Sequence, residues 1–192
     1  MPIESVQVVE LGPLCVVTVV SFEAGPESGD DSEEVSMTLK DVRIVTLPPM
    51  RVVSALGFGK EPENKAWTLI KEFAARGGID LAAEGTQTFG FNNPNPSPGS
   101  ENYGYELWLP VGPEVVVEEP LEIKEIAGGA YAVTQFTGLS NIGRVWKELV
   151  AWFEDSPYTC PGNWCQCLEE HLQPAEPDPE KWVFNLYLPI AE

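Results

Sequence analysis

The chain has 192 residues, 43% of them hydrophobic, and its 30 acidic against 11 basic side chains leave a net charge of −19. A field of that sign repels phosphate backbones and anionic headgroups, which sets aside direct nucleic-acid binding and membrane-surface binding and favours a cationic ligand. No run reaches the roughly 18 uninterrupted apolar residues of a membrane span, and no basic segment precedes the apolar stretch at residues 14–20, so a cytoplasmic location is expected.

In chain order, "VQVVELGPLCVVTVVSF" (residues 6–22) reads as two alternating strands around a Gly-Pro turn, and the acidic, Gly- and Ser-rich stretch at 23–34 reads as a linker. Residues 1–40 therefore form an N-terminal hairpin with its linker. Such a hairpin has an open edge and calls for a partner strand, in the first unit's sheet or in a second copy of the chain, which makes a homodimer one candidate assembly.

Residues 41–192 carry an internal repeat. "IVTLPPMRVV" at residue 44 aligns with "IKEIAGGAYA" at 123, "AWTLIKEF" at 66 with "VWKELVAW" at 145, and "YELWLPV" at 105 with "FNLYLPI" at 184. All three pairs share one offset of 79 without a gap, which predicts two copies of one unit, at 41–111 and 121–192. Each copy reads as strand, Pro-Pro or Gly-Gly turn, strand, helix (63–76; 143–154), and two more strands (87–92 and 105–111; 166–172 and 182–190) joined by a Pro-rich loop. Trp67, Ile70 and Phe73 share one helical face, as do Trp146, Leu149 and Trp152, and these tryptophans read as core. Strands with one helix on one face give an α+β unit, and two units side by side give a pseudo-twofold body with a groove between them.

Strand alternation selects the groove residues. In 105–111 the odd positions form a continuous apolar face for the helix, so Glu106 and Trp108 point to the groove; by the same rule Asn185 and Tyr187 do so in 184–190. In "CLEEHL" Leu168 and Leu172 go inward, Glu169 and His171 face the groove, and Glu170 is expected near the sheet edge. Phe89 and Phe91 read as core, which turns Asn92 outward. Aromatic walls with two carboxylates suit a flat apolar cation. Glu106 has an ordinary alternative as a polar residue on an exposed sheet face. Desolvation is expected to raise the pKa of both Glu106 and Glu169.

Cys160, Cys165, Cys167 and His171 are donors of the kinds zinc prefers, but their spacing matches no common zinc pattern, and reduced thiols are expected instead. No metal or other cofactor is called for. One histidine and no Gly-x-Ser-x-Gly argue against triad hydrolysis.

"VRIVTLPPMRVVSALGFG", "YELWLPV", "GGAYAVTQFTG", "VWKELVAWFEDS", "CLEEHL" and "NLYLPI", taken in order, resemble the GyrI-like effector-binding family over residues 42–190. The resemblance implies a duplicated β-α-β-β unit with pseudo-twofold symmetry, antiparallel sheets and a central ligand groove, with the hairpin as an extension. It implies that Glu169 takes the place of a glutamate deep in the groove, in a pattern like Glu-x-Tyr where His171 stands for the tyrosine, and that Glu106 matches an acidic position on the first unit's last strand. Regulators of this family carry a helix-turn-helix domain; nothing before residue 42 or after 190 reads as one, so a stand-alone ligand-binding protein is expected. Its partner would be a hydrophobic or cationic small molecule, sequestered or sensed through Glu169, Glu106, Trp108, His171, Tyr187, Tyr131, Asn185 and Asn92. Two alternatives stay open: a hydrolase opening cyclopropane rings of toxic natural products, with Glu169 or Glu106 as base and Tyr131, Tyr187 or His171 assisting, and inhibition of gyrase through a protein contact.

Overall fold

The computed structural model describes residues 3–12 and 15–22 as backbone, and residues 41–192 apart from 98 and 163–165. Strands β1 (Ile3–Gly12) and β2 (Cys15–Phe22) pair antiparallel with each other. They join no strand of the larger sheet, so the hairpin does not extend the first unit's sheet; β2 lies against helix α2 instead. The acidic linker lies outside the described residues.

The rest of the chain runs β3 (Arg43–Leu47), β4 (Met50–Gly59), α1 (Pro62–Gly77), β5 (Phe89–Asn92), β6 (Tyr103–Pro110), β7 (Leu121–Ile126), β8 (Gly129–Thr137), α2 (Ile142–Glu154), β9 (Leu168–His171) and β10 (Val183–Ile190). The eight strands form one antiparallel sheet in the order β3-β8-β10-β9-β5-β6-β4-β7.

The strands flanking the Pro48-Pro49 turn do not pair with each other. Two-residue hairpins need a positive φ at the turn, which the proline ring forbids, so β3 crosses to β8 while β4 takes β7. The matching turn contains Gly128, at φ +74°, and a Cβ there would lie 2.3 Å from the Leu47 carbonyl oxygen. The two turns therefore pack backbone against backbone, and only glycine fits between them. Leu47 stands opposite Gly129 and Met50 opposite Ile126, so the outermost strands meet at these turns and the sheet curls.

Helix α1 begins with Pro62 in its first turn, where the missing N–H costs nothing. It ends at Gly78, in the left-handed conformation, whose N–H bonds back to the carbonyls of Ala74 and Ala75. Its buried stripe, Ala66, Ile70 and Ala74, is mostly small, which lets the helix lie close on β4 and β6. Helix α2 buries a bulkier stripe, Val145, Trp146, Leu149 and Phe153, over Leu186, Leu188 and Ile190 of β10. Both helices thus cover one face of the sheet. The other face is rolled inward and filled by a third cluster that includes Phe89, Phe91, Trp108, Tyr131, Leu168 and Tyr187. Fully buried leucines such as Leu149 and Leu186 contribute about 2 kcal/mol each.

Candidate ligand-binding site

Between α1 and α2, on the helix-covered face, lies a cavity of about 230 Å³. Its floor is the centre of the sheet, where Gly90 pairs with both Leu107 and Glu169, and Asn92 pairs with Tyr105. Its walls are aromatic: Trp67 from α1, Trp146 from α2, Tyr103 and Tyr105 from β6, Trp182, and Phe184 from β10.

Glu169 sits on this floor. The Tyr105 hydroxyl donates to its Oε2 at 2.9 Å and the Trp146 indole N–H to its Oε1 at 3.3 Å. Burial pushes its pKa up to about 7; the two donors act against that rise and the nearby Glu63 adds to it. Glu63, in the first turn of α1, accepts a hydrogen bond from the Tyr103 hydroxyl at 2.7 Å, and burial raises its pKa as well. Lys60, also on the lining, is engaged with Glu101 at 2.6 Å.

His171 is 9% exposed and packed among rings, with centroids 4.7 Å from Phe184, 4.8 Å from Trp182 and 5.6 Å from Trp67. Burial, helped by the charge of Lys71, lowers its pKa to about 4, so it is neutral at pH 7. Neither ring nitrogen has a hydrogen-bond partner among the described residues. Cys160 and Cys167 are half-buried thiols whose pKa values burial raises, and Cys165 lies outside the described residues. No cluster with metal-ligand geometry occurs among the described residues.

The expected single groove surface is not what forms. The β9 register puts Glu169 opposite Leu186 and His171 opposite Phe184, so Glu169, His171 and Asn92 share the helix face with residues expected to be core. Glu106, Trp108, Tyr187, Asn185 and Tyr131 lie on the opposite, inward-rolled face. Alternation was read correctly within each strand, but β5 and β9 were both placed in the wrong phase relative to β6 and β10: Phe89 and Phe91 lie on the inward-rolled face, and Leu172, expected inward, is exposed.

Glu106 is 1% exposed and accepts four hydrogen bonds, from Lys124 Nζ at 2.5 Å, Trp108 Nε1 at 2.6 Å, and Ser54 Oγ and Asn93 Nδ2 at 2.7 Å each. Burial alone would raise its pKa, but these donors, Lys124 first, outweigh it and hold the carboxyl below its ordinary value, contrary to the sequence expectation. Glu170, expected near the sheet edge, is instead buried in a central strand. It accepts from Asn185 Nδ2 and the Tyr187 hydroxyl at 2.6 Å and from Gln87 Nε2 at 2.8 Å. Tyr131 is 1% exposed and packs edge-on against Tyr187.

Sequence reasoning missed Glu63, Tyr103, Tyr105, Trp182 and Phe184 as lining residues, while Trp67 and Trp146, expected as core, do pack with the helix clusters and also line the cavity. The available signal was the run of bulky rings on both helices and on the helix-facing positions at the start of the last strand in each copy, Tyr103 and Tyr105, Trp182 and Phe184.

Gly90 makes room for this arrangement, since a Cβ there would lie 2.1 Å from the Tyr105 hydroxyl oxygen. Gly90→Ala should displace that hydroxyl from Glu169 and cost about 1–3 kcal/mol of stability, measured by urea unfolding. A stability unchanged within about 0.5 kcal/mol would show that Tyr105 swings aside freely.

A cavity walled by aromatic rings with a carboxylate at its floor defines a small-molecule-binding domain. Residues 43–190 match the Cass2 family model, described as integron-associated effector binding protein, and the chain belongs to that family, whose fold is GyrI-like. No curated protein sequence matches the chain. Among solved structures it is similar to EcmrR in its complex with DNA, at 14% identity and a TM-score of 0.66, over 83% of this chain and 60% of that one. This chain thus spans less than two thirds of the EcmrR chain. The isolated C-terminal domain of EcmrR matches with a TM-score of 0.58 at 14% identity, over 79% of this chain and 98% of that one. A hydrolase from Listeria innocua matches with a TM-score of 0.55 at 11% identity, over 81% and 94%. At these identities the structural likeness concerns the fold. No described helix is long and apolar enough to cross a membrane.

Proposed function

We propose that the cavity between α1 and α2 binds a lipophilic aromatic cation, with Glu169 as its counter-charge. The observation that carries this reading is Glu169 itself, a carboxylate on the floor of an aromatic cavity with no cationic partner among the described residues. Two of its roughly four acceptor sites are filled by Tyr105 and Trp146, which leaves the rest for a ligand. The rings around it supply stacking area and cation–π attraction.

The same reading takes the two halves of the sheet as copies of one unit. Exchanging β3–β6 for β7–β10 leaves the strand order unchanged when it is read from the other end. Residues 79 apart line the same cavity: Trp67 and Trp146, Asn92 and His171, Tyr103 and Trp182, Tyr105 and Phe184. A pseudo-twofold axis through the cavity accounts for this. The partner position of Glu169 is Gly90, whose space Tyr105 occupies, so the copies differ where the carboxylate stands.

Glu169→Gln removes the charge at nearly constant shape. Affinity for a cationic aromatic dye, followed by quenching of tryptophan fluorescence, should fall roughly ten- to a thousandfold. Equal affinity of the parent and the variant would take the carboxylate out of recognition and leave an apolar slot.

A further inference from the structure

The cavity holds a second carboxylate that is positioned like the first. Tyr103 and Tyr105 are alternate residues of β6, so their side chains stand on one face with Cα atoms about 7 Å apart. Both rings are buried, at 5% and 9% exposure, and each hydroxyl donates to a different carboxylate, Glu63 at 2.7 Å and Glu169 at 2.9 Å. Two rings of the same length, rooted two residues apart, thus present two carboxylates to one cavity at a comparable separation.

Neither carboxylate is in an ion pair among the described residues. This contrasts with Glu106 on the other face, which Lys124 neutralises. His171 adds an independent sign of a ligand, since its two buried ring nitrogens, on the lining of the same cavity, are unpartnered among the described residues. A monocation on Glu169 leaves Glu63 uncompensated in a half-buried place, which is costly. A second positive centre on the same molecule removes that cost.

We infer that the cavity takes an aromatic ligand with two cationic centres roughly 7 Å apart, one held by Glu169 and the other by Glu63. This rests on the reading of Glu169 given above and assigns Glu63 as the residue that selects two charges over one. The ordinary role of Glu63, as an acid in the first turn of α1 favoured by the helix dipole, predicts no effect on ligand choice.

The test uses p-xylylenediamine, whose two ammonium groups span about this distance, and 4-ethylbenzylamine, its monocationic isostere, titrated calorimetrically at pH 8 and physiological salt. The parent should bind the diamine at least about tenfold more tightly. Glu63→Gln should bring the two probes within about threefold of each other, by weakening the diamine much more than the monoamine. Tyr103→Phe, which frees Glu63 without removing it, should lessen the preference and serves if Glu63→Gln folds poorly. Glu154→Gln, at the exposed end of α2, removes the same charge from the acidic surface and should leave the preference intact. A parent preference below threefold, or a preference that survives Glu63→Gln, overturns the inference, as does one that Glu154→Gln lowers equally. Glu169→Gln separates the two readings. If it fails to weaken the monoamine, the reading of Glu169 falls; if it weakens both probes while Glu63→Gln leaves their ratio unchanged, only the two-charge inference falls.

Discussion

Glu106→Ala is expected to destabilise the protein by about 3 kcal/mol, the largest single-residue loss predicted for this fold. The carboxylate is 1% exposed, and its removal leaves Lys124, Trp108, Ser54 and Asn93 without the acceptor they share. Unsatisfied buried donors are the costly products of such a change, although the partial exposure of Lys124 and its second carboxylate, Glu122 at 4.0 Å, moderate the total. Glu106→Gln keeps an oxygen that can still accept from some of the donors, and it should lose about half as much. At this chain length the alanine variant should melt about 6–12 °C lower. The same linkage gives a pH dependence. Because the folded pKa of Glu106 is depressed, its contribution is present above the unfolded value of 4.5 and is lost as pH falls through the folded one. Affinity for a cationic dye should hardly change, because Glu106 lies on the face opposite the cavity. A stability loss under about 1 kcal/mol, or a tenfold loss of dye affinity, would return Glu106 to the ligand site that sequence alternation assigned to it.

The second large effect is on pH. With its pKa at about 7, Glu169 is half protonated near neutrality in the ligand-free protein, and a cation binds the ionised form. For a dye whose own charge does not titrate, affinity should be constant above pH 8 and fall about tenfold per unit as pH drops below 7. Binding at pH 6 should therefore release roughly 0.9 proton per ligand, measured by calorimetry in buffers of different ionisation enthalpy. Glu169→Gln should flatten the profile.

The groups around Glu169 do not imitate this behaviour. Tyr105 stays protonated because burial and the charges of Glu169 and Glu63 raise its pKa. Glu63 is also raised from 4.5, so its titration would deepen the fall at the acid end. Stability would be a poorer readout than affinity. A raised carboxylate such as Glu169 gives stability that is fully present below 4.5 and lost as pH rises through about 7. His171, lowered to about 4, gives stability present above the unfolded value of 6.5 and lost as pH falls toward 4. The two trends oppose each other between pH 4.5 and 6.5. A pH-independent dye affinity in the parent would exclude Glu169 as the counter-charge.

The sequence by itself determined the elements, because they rest on local chemistry. Helix α1 was expected over 63–76 and runs from Pro62 to Gly77, ended by the Gly78 turn, and α2 was expected over 143–154 and runs from Ile142 to Glu154. The faces within β6 and β10 were legible too, since side-chain alternation is a property of one strand. Glu169 was singled out by alternation in "CLEEHL" and again through the family resemblance, and it stands at the floor of the cavity. What the sequence left undetermined is whatever depends on how strands meet. The phase of β9, four residues long, follows from its pairing with β10 and β5, and a shift of one residue exchanges Glu169 for Glu170. Curling decides which face becomes an interior. The crossing turns at Pro48 and Gly128 roll the face of Glu106 and Trp108 inward, where Lys124, 18 residues along the chain, closes an ion pair that no local pattern announces. The cavity opens on the helix side because α1 and α2 sit over opposite halves of one sheet, and the space between two helices is a product of tertiary packing alone.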